Sequence, residues 1–261
     1  MVQESRKELL KLYQSWKSEL KDVCPQLLCK EFSYPYYLHI PDDWYERKFR
    51  VLIVGEEGHG FKHKDFDMPI ECVQTFNREY IAGQLEDTPD TGCNRDPLYK
   101  RNNSAFWNRI RKIKALRGPN EISLTWTNLD KIHRLGSKCA LKKEQRLALH
   151  QTPTAILSEE ITLLKPTVVI FFGWYGVSLE KELPSVFKKL YPNGLGDNSQ
   201  WRKEKMKAIS ENDICYIFTY HPNWGQRQKG YEEKILSAVN DAFTEAAETR
   251  RCLKQHGIDR D

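Results

Sequence analysis

Residues 49–60 read Phe-Arg-Val-Leu-Ile-Val-Gly-Glu-Glu-Gly-His-Gly. A short, nearly continuous apolar run that stops at a glycine-rich turn is the pattern of a strand buried on both faces. Three more runs of this kind follow: Ile122–Thr127 (ISLTWT), Thr167–Phe172 (TVVIFF) and Ile214–Thr219 (ICYIFT). Helical spacing fills the intervals. Phe106, Ile110, Ile113 and Leu116 mark one helix with Ser104 at its cap, and a second runs from about Thr154 to Leu164. Leu179, Leu183, Val186 and Leu190 mark a third, and Tyr231 to Leu253 a long last helix that buries Ile235, Val239, Phe243 and Ala246. Strands alternating with helices predict a three-layer α/β/α domain around a four-stranded parallel sheet. Ahead of the first strand, Leu9, Leu12, Tyr13, Trp16 and Leu20 recur at three- and four-residue steps within Glu4–Val23. That is an amphipathic helix, closed by Pro25. With no repeat or low-complexity tract, 1–261 reads as one domain carrying an N-terminal helical extension of about residues 1–45.

Composition narrows the class. The 261 residues are 39% hydrophobic and 11% aromatic, enough for a sizeable core and too much for disorder. The longest apolar stretch, Thr167–Val177, is too short to span a bilayer, and the charged N-terminus lacks the apolar core of a secretion signal. Seven cysteines, odd in number and without a CxxC pair, read as reduced thiols of a cytoplasmic protein. Cys24-x4-Cys29 has no matching second half, so neither a metal nor another cofactor is expected.

The net charge of +5 is unevenly spread. Residues 95–117 hold eight Lys or Arg against one acid, and residues 131–146 hold six against one. Such belts read either as a polyanion footprint or as solvated helix faces.

In a parallel α/β sheet, ligands bind beyond the carboxyl ends of the strands. The first strand runs into Gly55-Glu56-Glu57-Gly58-His59-Gly60 and the second into Thr127-Asn128. The third reaches Gly173, and the fourth opens His221-Pro222-Asn223-Trp224-Gly225-Gln226-Arg227. A carboxylate pair, an amide, a glycine turn and a His-Pro loop thus converge on one edge. Neither a P-loop nor a GxGxxG fingerprint is present.

In the order and spacing of these four pieces the chain resembles the uracil-DNA glycosylase superfamily. Gly55-Glu56-Glu57-Gly58-His59 matches its first motif, Asn128 its middle-strand asparagine, Lys165-Pro166-Thr167 to Gly173 its third strand, and His221-Pro222-Asn223 its last loop. The resemblance spans about residues 50–227 and implies a monofunctional glycosylase that extrudes a base and hydrolyses its N-glycosidic bond. Glu57 then faces the oxocarbenium-like sugar and its water, while His221 donates to the departing base. The Glu56–Glu57 doublet leaves open which carboxylate reacts. Asn128 reads the base edge, Phe76 stacks on the base, and Gly55, Glu56 and His59 complete the pocket. Asn223, Trp224 and Arg227 meet the DNA, Trp224 either as a wedge or packed under its own loop. Arg109, Arg111 and Lys112 supply phosphate contacts, so binding should weaken steeply with salt.

Departures refine the substrate. Glu at 57 is one methylene longer than the family's Asp or Asn, Gly58 replaces a proline, and His59 stands where uracil-specific members keep a tyrosine against C5. An open wall near C5 favours a pyrimidine larger than uracil, such as the C5-modified cytosines of phage genomes, which makes anti-phage defence an alternative to repair. No lysine is placed for a lyase step. The expected protein is a monomer with DNA as partner and no membrane. The competing readings are an inactive relative that binds nucleic acid or a modified base, and a hydrolase of small nucleosides.

Overall fold

The computed structural model describes residues 1–57, 66–85, 103–118, 120–135, 141–173, 206–225 and 229–255; for Glu57, Trp224, Arg250 and residues 252–255 the backbone alone is described. Its elements are α1 (Val2–Val23), β1 (Phe49–Glu57), α2 (Ile70–Leu85), α3 (Ala105–Lys114) and β2 (Ile122–Asp130). There follow α4 (Lys143–His150), α5 (Ile156–Leu164), β3 (Val168–Phe172), β4 (Met206–Glu211), β5 (Ile214–Thr219), α6 (Pro222–Gly225) and α7 (Tyr231–Gln255). The expected helix over Leu179–Leu190 lies outside the described residues.

The four expected strands form and pair in parallel, but among the described residues the sheet has five strands, in the order β2-β1-β3-β5-β4. The fifth, β4, pairs antiparallel with β5 through a two-residue turn at Asn212-Asp213. Both turn residues have positive φ, 51° and 63°, the backbone of a type I′ hairpin. Asparagine and aspartate adopt it without glycine because their short polar side chains tolerate the left-handed region. β4 escapes an apolar-run reading because Met-Lys-Ala-Ile-Ser-Glu is an edge strand, half-exposed along its length.

Burial follows the expected division. All five residues of β3 and all nine of β2 are buried. α1 buries Leu9, Tyr13, Trp16 and Leu20, and α7 contributes Ile235, Val239 and Phe243. α3 begins at its expected cap, where the Ser104 hydroxyl accepts the Trp107 N–H at 3.4 Å. Residues 32–40 are a nearly continuous buried strap lying beside β2. The Tyr36 N–H donates to Lys131 O at 2.6 Å, and the Thr125 hydroxyl to His39 O at 2.8 Å. No helix among the described residues is long and apolar enough to cross a membrane.

Candidate functional site

β1 and β2 run side by side with Gly55 level with Asn128 and Glu57 level with Asp130. β1 therefore delivers its glycine beside the β2 amide at their shared carboxyl ends. Asn128 is fully buried, yet neither its amide oxygen nor its nitrogen has a hydrogen-bond partner among the described residues. A buried unpaired amide costs about 1–3 kcal/mol per group and is rare in native proteins, so it marks a place where another group is received. Gly55 makes that placement feasible. A Cβ there would sit 2.6 Å from Asn128 Oδ1 and 3.0 Å from Trp126 Nε1.

His221 follows β5 by two residues and stands half-buried at the start of α6. Its ring stacks on Phe106 of α3, with centroids 5.8 Å apart and planes 13° from parallel. The Asn223 N–H donates to His221 Nδ1 at 3.3 Å. An accepting Nδ1 leaves the proton of the neutral ring on Nε2, so the histidine offers a donor. Phe106 also touches Trp126 and Phe172 edge-on, at 5.9 and 5.7 Å, and so joins the ends of β2, β3 and β5 into one aromatic wall.

The expected stacking residue, Phe76, lies half-buried on α2 against the core. It is four residues before Tyr80 and so shares its face. The Tyr80 ring lies 6.2 Å from that of Trp126. Phe106 was not singled out for the site, since its helical spacing reads as core.

Arg146 Nη2 lies 3.3 Å from Glu56 Oε1 and pairs with the buried Asp130 at 2.6 Å. His150 Nε2 meets the other Asp130 oxygen at 2.9 Å. Glu56 is thus tied to a structural cation, and Glu57 follows it as the last residue of β1. The sequence pattern gives Asp130, Arg146 and His150 no role; His133 is buried, and His150 keeps only 7% of its side chain exposed. Trp126, Asn128 and Asp130 alternate along β2, and period-two reading carried past Thr127 is the signal that finds Asp130.

Several described cations of the basic segments are engaged by groups of the protein itself. Arg109 is 3% exposed and pairs with Glu232 at 3.4 Å, which corrects its expected place on a solvent-facing phosphate surface. The reason is the helix phase: Arg109 falls on the same face of α3 as the buried Ala105, Ile110 and Ile113. Lys112 pairs with Glu232 at 2.5 Å, and Arg111 donates to Gln84 O and Asn108 Oδ1. In the second segment Lys131 is buried against Glu160 and Arg134 pairs with Glu31. His59 and Arg227 lie outside the described residues. Asn223 is exposed on α6, next to His221.

No family model and no curated protein matches the chain.

Proposed function

We propose that the chain is a monofunctional DNA glycosylase, a divergent member of the uracil-DNA glycosylase superfamily, acting as a cytoplasmic monomer. It hydrolyses the N-glycosidic bond of an extruded pyrimidine, a C5-modified cytosine or uracil, and leaves an abasic site. The observation that carries this reading is the buried, unpaired Asn128 amide held across Gly55 at the strand ends. An amide with one acceptor and one donor face complements a pyrimidine edge, which presents both. His221, with Nε2 as donor, stabilises the charge that develops on the departing base. Glu57 orients water at the sugar carbon and offsets its positive charge, while Glu56 is held by Arg146.

The test is mass identification of the base released from DNA carrying uracil, hydroxymethylcytosine or glucosylated cytosine. Glu57→Gln should abolish release and leave DNA binding within about threefold. Retained release moves the reacting carboxylate to Glu56 or the burden to His221. Uracil as the sole product removes the wide-pocket reading.

A second reading, an N-glycosyl hydrolase or binder of small nucleosides, is favoured by one observation. Arg109, Lys112, Lys131 and Arg134 of the two basic segments pair with acids of the protein, which reduces the charge they offer a long polyanion. Activity on free nucleosides but not on DNA would decide for the hydrolase, and binding without any product for the inactive relative.

A further inference from the structure

The guanidinium of Arg109 is buried in an unusual way. Its Nη2 faces Glu232, but Nε and Nη1 have no hydrogen-bond partner among the described residues. Burying charged donors unpaired costs several kcal/mol, so their persistence points to an acceptor-rich group that joins them. Lys112 lies three residues on and shares the face of α3. Both cations converge on the single carboxylate of Glu232, at 3.4 and 2.5 Å, so the cluster carries a net positive charge. Burial pushes the Glu232 carboxyl up, but Lys112 and Arg109 outweigh it and hold it below its ordinary value.

The backbone adds to this field. Glu232 sits in the first turn of α7, a helix of 25 residues whose N-terminus favours negative charge. That turn is fixed on the strand that leads to His221. The Tyr231 hydroxyl bonds Thr219 Oγ1 at 2.6 Å and accepts the Tyr220 N–H at 3.0 Å. A buried guanidinium with two unused donors, an exposed ammonium and a helix N-terminus therefore meet beside the His221 loop. Planar guanidinium donors suit two oxygens of one tetrahedral anion, whereas Glu232 reaches only one of the three nitrogens.

We propose that Arg109, Lys112 and the first turn of α7 form a phosphate site, in which the Glu232 carboxylate is an exchangeable occupant. A phosphate monoester or diester displaces Glu232 toward solvent and supplies acceptors to Arg109. The proposal concerns binding alone and stands whether or not the chain cleaves a glycosidic bond.

The melting temperature of the full chain, followed against inorganic phosphate, thymidine 5′-monophosphate and an octathymidylate at fixed ionic strength, tests it. A saturable rise over a chloride control is expected with at least one of the three. Lys112→Gln should weaken that apparent affinity about tenfold, and Glu232→Gln, which removes the competing charge, should strengthen it about tenfold. Both changes lie on partly exposed side chains, so folding is preserved and the two shifts are read in opposite directions. A response to the octathymidylate alone assigns the phosphate to a nucleic-acid backbone, and a response to all three assigns it to free phosphate or nucleotide. Either supports the site. No saturable response, or a Lys112→Gln protein that binds as tightly as the wild type, overturns it.

Discussion

Arg6 organises the entry to the strap of residues 32–40. It donates to Ile40 O from Nε at 3.1 Å, faces His39 Nε2 at 3.2 Å and pairs with Asp42 at 2.7 Å. Burial first, and then the positive charges of Arg6 and Arg78, lower His39 from 6.5 to about 4. The folded protein therefore binds fewer protons than the unfolded chain between those values. Stability from this group is present above about pH 6.5 and is lost as pH falls toward about 4. Because the ring is partly exposed, screening limits the effect to about 1–2 kcal/mol. Urea midpoints at pH 7 and 4.5 measure it, and His39→Gln should flatten the difference. At the site, Gly55→Ala drives a methyl group into the Asn128 amide. Overpacking of this kind costs about 1–3 kcal/mol, and base release should fall far more than stability does. A Gly55→Ala protein with wild-type release would separate Asn128 from the chemistry.

Between elements, the strongest polar tie is the buried cluster that joins α1, β2 and α5. Lys131 Nζ lies 2.7 and 2.6 Å from the two Glu160 oxygens, and Thr127 donates to Oε2 at 3.1 Å. The Tyr13 hydroxyl donates to Glu160 from α1 and accepts the Leu38 N–H at 2.8 Å, which brings in the strap. Burial lowers Lys131 below its ordinary value despite the attraction of Glu160, so the pair is held by geometry rather than by cheap desolvation. Lys131→Met leaves the carboxylate alone and should cost about 3–5 kcal/mol. Lys131→Met with Glu160→Leu should recover most of that loss, and a double-mutant cycle in urea reads the coupling. Nothing in the sequence announces this cluster. A lysine in a basic run reads as surface, and its partner is 29 residues away in an amphipathic helix. The elements themselves were legible where burial is continuous. β3 and β5 match the apolar runs to within a residue, whereas β1 and β2 extend three residues further, through Glu57 and Asp130, into polar sequence. Polar residues continue those strands because they are neighbours in register, a fact of pairing rather than of local pattern.

Across the whole molecule, charge looks different once it is folded. Among the described residues, five cations of the two basic segments, Arg109, Lys112, Lys131, Arg134 and Arg146, pair with Glu232, Glu160, Glu31, Asp130 and Glu56. Sequence shows the excess of cations but not the acids that the fold brings to them. Any nucleic-acid binding should therefore depend on salt less steeply than the cation count implies, with a log–log slope no steeper than about −3. Fluorescence anisotropy from 50 to 300 mM salt measures it, and a slope near −7 would mean that the pairs open on binding. The strand-end positions are the part of the candidate site that sequence order reveals. The order of Gly55, Asn128 and His221 along the chain predicts that they share one edge of the sheet, and the parallel pairing sets Gly55 level with Asn128 there. The Phe106 platform, the Arg146 tie on Glu56 and the burial of Arg109 are not legible in the sequence, since each depends on how helices are rotated against the sheet.

Among the described residues β2 is the outermost strand on its side of the sheet, yet all nine of its residues are buried. The strap of residues 32–40 supplies that cover and α1 holds the strap through Tyr13, so the first 45 residues act as a guard against edge-to-edge association. A ribosome releases the guard well before the strand it protects, and so β2 never has to wait unshielded for its cover. A chain begun at residue 46 would bring a long hydrophobic edge into solution, and it should form oligomers by strand addition, visible as light scattering at micromolar concentration. Supplying residues 1–45 as a separate peptide should suppress that scattering.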